Sequence, residues 1–107
     1  MQKLLLSEIE NAKKKLEGKI VKTPILPLEG SKIKSSLPFE SKSFMKLELY
    51  QHTGSFKARG NLLAVDKLTD EQKIRGVVAV SAGNHALAVS WAAKQVGTHA
   101  KLFMPKT

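Results

Sequence analysis

A chain of 107 residues is long enough for one domain with a modest core, and 42% apolar with 25% charged residues is the composition of a soluble globular protein. It has no cysteine, which excludes a disulfide framework and a cysteine-based zinc site; no other metal motif stands out. The net charge of +9 raises nucleic-acid binding, but the excess is spread over both halves, only Arg59 and Arg75 are arginines, and Trp91 lies in a buried setting among alanines and a valine.

The N-terminal "MQKLLLSEIENAKKK" has no small-residue cleavage site, and no apolar run approaches a membrane span. A cytoplasmic location is the expectation. Residues 7–17 read as a helix, with Ser7 and Glu10 as a capping box, Ile9, Ala12 and Leu16 on one face, and Gly18 as its stop. The basic run Lys13-Lys14-Lys15 falls on this helix as a solvated face. Residues 19–41 hold three of the chain's four prolines and many serines, which predicts extended, turn-rich chain. "SFMKLELY" (43–50) alternates Phe44, Lys46 and Glu48 against Met45, Leu47 and Leu49, a strand signal.

"QHTGSF" breaks the strand, and helical spacing resumes over 57–68 through Ala58, Leu62, Val65 and Leu68. Thr69 and Gln72 repeat the capping-box pattern and start a short helix. "GVVAVS" (76–81) has the composition of a buried parallel strand. "HALAVSWAAKQV" (85–96) is a helix apolar on nearly every side, which requires packing from more than one direction. Gly97 suits its C-terminal cap, and "HAKLFM" (99–104) is a second strand stopped by Pro105. Strand, helix, strand in about thirty residues makes a βαβ unit, and such units bind ligands at the carboxyl ends of their strands.

"SAGNHA" (81–86) lies at such an end. Unpaired N–H groups and the helix dipole make the place receptive to a carboxylate or phosphate, and Gly83 lets a ligand approach the backbone. The bland alternative is that Ser81 and Asn84 only cap the helix and His85 is a filler. In "GSFKARG" (54–60), Lys57 occupies a first helical turn, where the dipole disfavours an ammonium. Partial burial behind Phe56 would add to this and favour the neutral amine that forms Schiff bases. An amine beside an anion nest suggests an enzyme that holds an amino acid by its nitrogen and its carboxylate.

"KLELYQHTGSFKARGN" followed by "SAGNHA", with "KTP" at 22–24 and "LFMP" at 102–105, resembles the fold-type-II pyridoxal-phosphate enzymes, the tryptophan synthase β-like family, and within it the threonine dehydratase and serine racemase branch. The resemblance covers nearly the whole chain. It implies an α/β fold, an open parallel-sheet three-layer architecture. Here it would comprise the start of the larger domain (1–75) and the first βαβ unit of the smaller one (76–107).

It further implies pyridoxal 5'-phosphate as cofactor, carried by Lys57, bordered by Phe56 and hydrogen-bonded by Asn84. Ser81, Gly83, Asn84 and His85 would grip the substrate carboxylate. The reaction implied is dehydration of threonine or serine to a 2-oxo acid and ammonia, in a homo-oligomer with no nucleic-acid or membrane partner. In serine racemase a serine occupies the place of Ala82, so racemisation is the lesser alternative; a non-catalytic remnant with a working basic surface is the alternative from another class.

The chain departs from the family at Leu87 and Ala88, where glutamine and glycine are common. It also has no counterpart of the glycine-rich loop that cradles the cofactor phosphate, nor of the residue that meets the pyridine nitrogen. The expectation is therefore an N-terminal portion of the family fold, inactive alone.

Overall fold

The computed structural model describes residues 3–38 and 41–106. Helix α1 spans Leu6–Leu16, one residue ahead of the predicted start. Its cap differs from the Ser7–Glu10 pair. Leu5 occupies the N-cap, and its N–H donates to the Glu8 carboxylate at 2.8 Å. Leucine has no side-chain oxygen to return the bond, and the Glu8 N–H donates instead to the Leu5 backbone carbonyl at 3.1 Å, so only half of a capping box forms.

The segment predicted as irregular contains two short elements, strand β1 (Ile25–Pro27) and helix α2 (Ser31–Ser36); Phe39 and Glu40 fall outside the described residues. β1 pairs antiparallel with β2 (Phe44–Lys46), in the register Ile25↔Lys46, Leu26↔Met45, Pro27↔Phe44. Pro27 is tolerated because this sheet has two strands among the described residues, so its missing donor faces no partner among them. β2 is shorter than the alternation over 43–50 predicts. After Leu47 the chain tightens into a 3-10 turn at Glu48–Tyr50 and a second at His52–Gly54.

Helix α3 (Lys57–Asp66) starts where predicted but ends two residues before Leu68, and helix α4 (Asp70–Arg75) follows the Thr69 cap as predicted. The Thr69–Gln72 capping box is present in both directions, at 3.2 and 2.9 Å. Gly76 then turns the chain with φ +80°, and the His99 ring lies against it so closely that any Cβ there would collide.

Strand β3 (Val77–Val80), helix α5 (Asn84–Gln95) and strand β4 (Ala100–Phe103) form the βαβ unit, with β3 and β4 parallel and Val77 opposite Ala100. α5 ends in a Schellman motif: Gly97 (φ +73°) donates to the Lys94 carbonyl and Thr98 to the Ala93 carbonyl.

α5 is the hub of the fold. Its buried face is Ala86, Ala88, Val89, Ala92 and Ala93, and these small side chains let α3, β3 and β4 approach closely. Leu16, Leu62, Val65 and Ala92 form the core, joined at its edge by Ile20, Val77, Trp91 and Val96. Trp91 is half-buried rather than enclosed, and stacks on His52 with ring centroids 4.8 Å apart. The α5 helix is thus packed from several sides, as its composition requires, although Leu87 projects into solvent at 56% exposure.

Candidate functional site

The turn that presents Lys57 is held from below by buried polar side chains. Gln51, 4% exposed, clamps the backbone of Val21: its amide oxygen accepts the Val21 N–H at 3.0 Å and its amide nitrogen donates to the Val21 carbonyl at 2.9 Å. Two residues further along the N-terminal segment, the hydroxyl of buried Thr23 donates to Glu48 at 2.6 Å. Glu48 in turn receives Arg59 through Nε at 2.8 Å and Nη2 at 2.7 Å. The Arg59 guanidinium, with help from the Thr23 hydroxyl and Lys46, holds the Glu48 carboxyl down at about 2 despite its desolvation. The "KTP" segment, the 3-10 turn and the first turn of α3 are therefore fastened at one carboxylate.

Above this clamp the backbone is strained. Thr53 adopts φ +63°, a left-handed conformation that a β-branched residue takes at a cost of roughly 1–2 kcal/mol. The hydroxyls of Thr53 and Ser55 are buried with no hydrogen-bond partner among the described residues. Backbone strain and two buried hydroxyls with no partner among the described residues thus fall in one short turn, directly before Lys57.

Lys57 is the first residue of α3 and half-buried, and its amine has no ion pair among the described residues. Phe56 precedes it at the N-cap and is 63% exposed, so it borders the lysine without covering it. The partial burial expected of Lys57 is present, but the exposed Phe56 ring does not supply it.

The second motif lies at the carboxyl end of β3. The Ser81 N–H donates to the Phe103 carbonyl at 3.0 Å, which extends the ladder, and its hydroxyl accepts from the Gly83 N–H at 3.2 Å. Ala82, Gly83 and Asn84 are exposed, and His85 is half-buried. Gly83 is the N-cap residue of α5, no side chain caps the helix, and a Cβ at Gly83 would meet open space. Ser81 and Asn84 are therefore not capping residues. The first-turn N–H groups are left for water or an anion.

Asn61 joins the two motifs. Its side-chain nitrogen donates to the Lys57 carbonyl at 2.8 Å and lies 3.4 Å from Nδ1 of His85. The N-termini of α3 and α5, with an amine on one and uncapped donors on the other, thus share one corner of the molecule. Two surface grooves lie elsewhere, one beside Asp66 and His52 and one along α1 against Lys46 and Arg59, and neither includes Lys57, Asn84 or His85. No cluster of metal-ligating side chains occurs among the described residues, and no helix among them is long and apolar enough to cross a membrane.

Sequence reasoning missed Glu48, Arg59, Thr23, Gln51 and Asn61. The available signal was Arg59, one of two arginines in a lysine-rich chain, placed two residues after the candidate lysine.

Comparison with known proteins identifies the family and the fold. The family model described as "Pyridoxal-phosphate dependent enzyme" matches residues 16–107. The catabolic L-threonine dehydratase TdcB of Staphylococcus aureus (strain USA300) is 43% identical over 102 residues, which is 95% of this chain and 29% of the relative. Among solved structures, maize serine racemase superposes with a TM-score of 0.77 at 34% identity, covering 95% of this chain and 31% of that one. The T.th. threonine deaminase gives 0.73 at 33%, with the same coverage. The chain spans about three-tenths of the length of these relatives, and its α/β architecture is that of fold-type-II enzymes over that span. The chain belongs to the family of pyridoxal-phosphate-dependent enzymes.

Proposed function

We propose that the protein is a pyridoxal-phosphate-dependent dehydratase that converts threonine or serine to a 2-oxo acid and ammonia, with this chain supplying the lysine and the carboxylate-binding turn. The observation that supports this most strongly is the pairing, through Asn61, of the turn that carries Lys57, whose amine has no ion pair among the described residues, with the uncapped N-terminus of α5. Relatives named as threonine dehydratase and threonine deaminase point the same way.

The residues present fit the cofactor. A primary amine is what a carbonyl-bearing cofactor needs, the orphaned Ser55 hydroxyl stands two residues before it, and the open space at Gly83 leaves room beside the donors. In this reading Lys57 holds the cofactor, with Phe56 at its border and the Asn84 amide as a hydrogen-bond donor to it. When bound, the cofactor serves as the electron sink for the bond cleavage at the substrate Cα.

The remaining work falls to the chain itself. Ser81, Gly83, Asn84 and His85 bind the substrate carboxylate at the positive end of the α5 dipole. That contact would fix the amino acid with its Cα–H bond toward the Lys57 amine, which would take the proton once the substrate nitrogen has replaced it on the cofactor. Loss of the α-proton and the β-hydroxyl, followed by rearrangement and hydrolysis, gives the 2-oxo acid and ammonia. The Glu48–Arg59 pair fixes the first turn of α3 and hence the direction from which the amine acts. In the same reading residues 1–75 open the cofactor-lysine domain and residues 76–107 begin the smaller one.

The test is an assay of the complete protein loaded with cofactor. It is expected to release 2-oxobutanoate from threonine, and Lys57→Ala is expected to abolish this while leaving the fold intact by circular dichroism. Turnover that persists in Lys57→Ala would defeat the proposal.

A further inference from the structure

The direction of each hydrogen bond around Asn61 is fixed by its neighbours. The Lys57 carbonyl only accepts, so the Asn61 atom 2.8 Å from it is the amide nitrogen. Turning the amide over would set two acceptors, Oδ1 and the carbonyl, against each other. The same nitrogen has a second hydrogen, and the atom 3.4 Å from it is Nδ1 of His85. An N–H facing a ring nitrogen requires a lone pair there, so the ring proton belongs on Nε2.

We propose that Asn61 is a positioning residue that holds His85 as the neutral Nε2–H tautomer. The Lys57 backbone orients the Asn61 amide, and the amide orients the imidazole. His85 then enters the site as a hydrogen-bond donor through Nε2 rather than as a proton acceptor or an imidazolium. The tautomer stands on this hydrogen-bond chain alone. Its use, donation to an anionic substrate group beside the α5 N-terminus, rests on the function proposed above.

The test is a long-range proton–nitrogen correlation spectrum of the complete, cofactor-free protein near neutral pH, with His85 assigned by the signals lost in His85→Gln. The expected pattern is a pyridine-type Nδ1 and a pyrrole-type Nε2, not averaged between tautomers. In Asn61→Ala the pattern should collapse toward a tautomer average. In Asn61→Asp, whose carboxylate only accepts, the proton should move to Nδ1. A pyrrole-type Nδ1 in the unmodified protein, or an averaged pair, overturns the proposal, and so does an unchanged pattern in both variants. Should either variant fail to fold, the spectrum of the unmodified protein decides by itself. No turnover is required, so an inactive protein with the expected tautomer would count against the dehydratase reading and leave this one standing.

Discussion

Glu48 and Arg59 form a two-pronged ion pair, with Nε and Nη2 of the guanidinium on the two carboxylate oxygens at 2.8 and 2.7 Å. The pair fastens the turn before Lys57 to the helix that begins with it. Both side chains are mostly shielded, at 16% and 27% exposure, so solvent screens this interaction less than it would a surface pair.

The pH dependence of stability follows from this pair. The Glu48 carboxyl is lowered from 4.5 to about 2 in the folded protein, so its contribution is complete above about 4.5 and is lost as the pH falls toward 2. A shift of this size is worth on the order of 3 kcal/mol. Glu48→Gln in the complete protein should therefore lower the unfolding free energy at neutral pH by about 2–3 kcal/mol and flatten its fall in the acid window. Denaturant titrations across that window measure both. Identical acid slopes in the variant and the unmodified protein would show that the pair contributes nothing.

Ala82 bears on the reaction type. Racemisation needs an acid–base group on the face of the substrate opposite the lysine, and the exposed residue in the turn between Ser81 and Gly83 is an alanine. A methyl group transfers no proton. We predict dehydration of L-serine with little D-serine formed, and a gain of racemisation in Ala82→Ser, both read by chiral chromatography of the products. Rapid D-serine formation by the unmodified protein would contradict this.

A polypeptide of these 107 residues alone is expected to self-associate. Val78 (68% exposed), Val80 (76%) and Phe103 (47%) lie on one face of the β3–β4 sheet, and parallel sheets are normally covered on both faces. Lys101 reaches over the Phe103 ring at 5.2 Å, but one cation does not cover a sheet face. Light scattering should show species above monomer mass, and Val78→Lys with Val80→Lys should restore the monomer. A compact monomer of the unmodified polypeptide at high concentration would rule this out.

Much of the second half of the fold was legible in the sequence because its signals are local. The apolar run of β3, the alanine-rich α5, the Thr69–Gln72 cap and Gly97 each report their structure within a few residues. The first half was less legible. Residues 43–50 alternate like a strand, yet pairing stops at Lys46 and Glu48 enters a 3-10 turn, where it meets Arg59, 11 residues on. Gln51 clamps a backbone 30 residues away, and Asn61 meets a histidine 24 residues away. No periodicity encodes such pairs. The motif residues Lys57, Ser81, Gly83, Asn84 and His85 could be picked out from their turns and glycines, whereas the residues that hold those turns in place could not.

Borohydride reduction of the complete, cofactor-loaded protein, followed by peptide mapping, tests the role of Lys57 most directly. Reduction should fix one pyridoxyl group per chain, on Lys57. Label on Lys46 or Lys67 instead, or no retained label, would contradict the assignment of Lys57 as the cofactor-bearing residue.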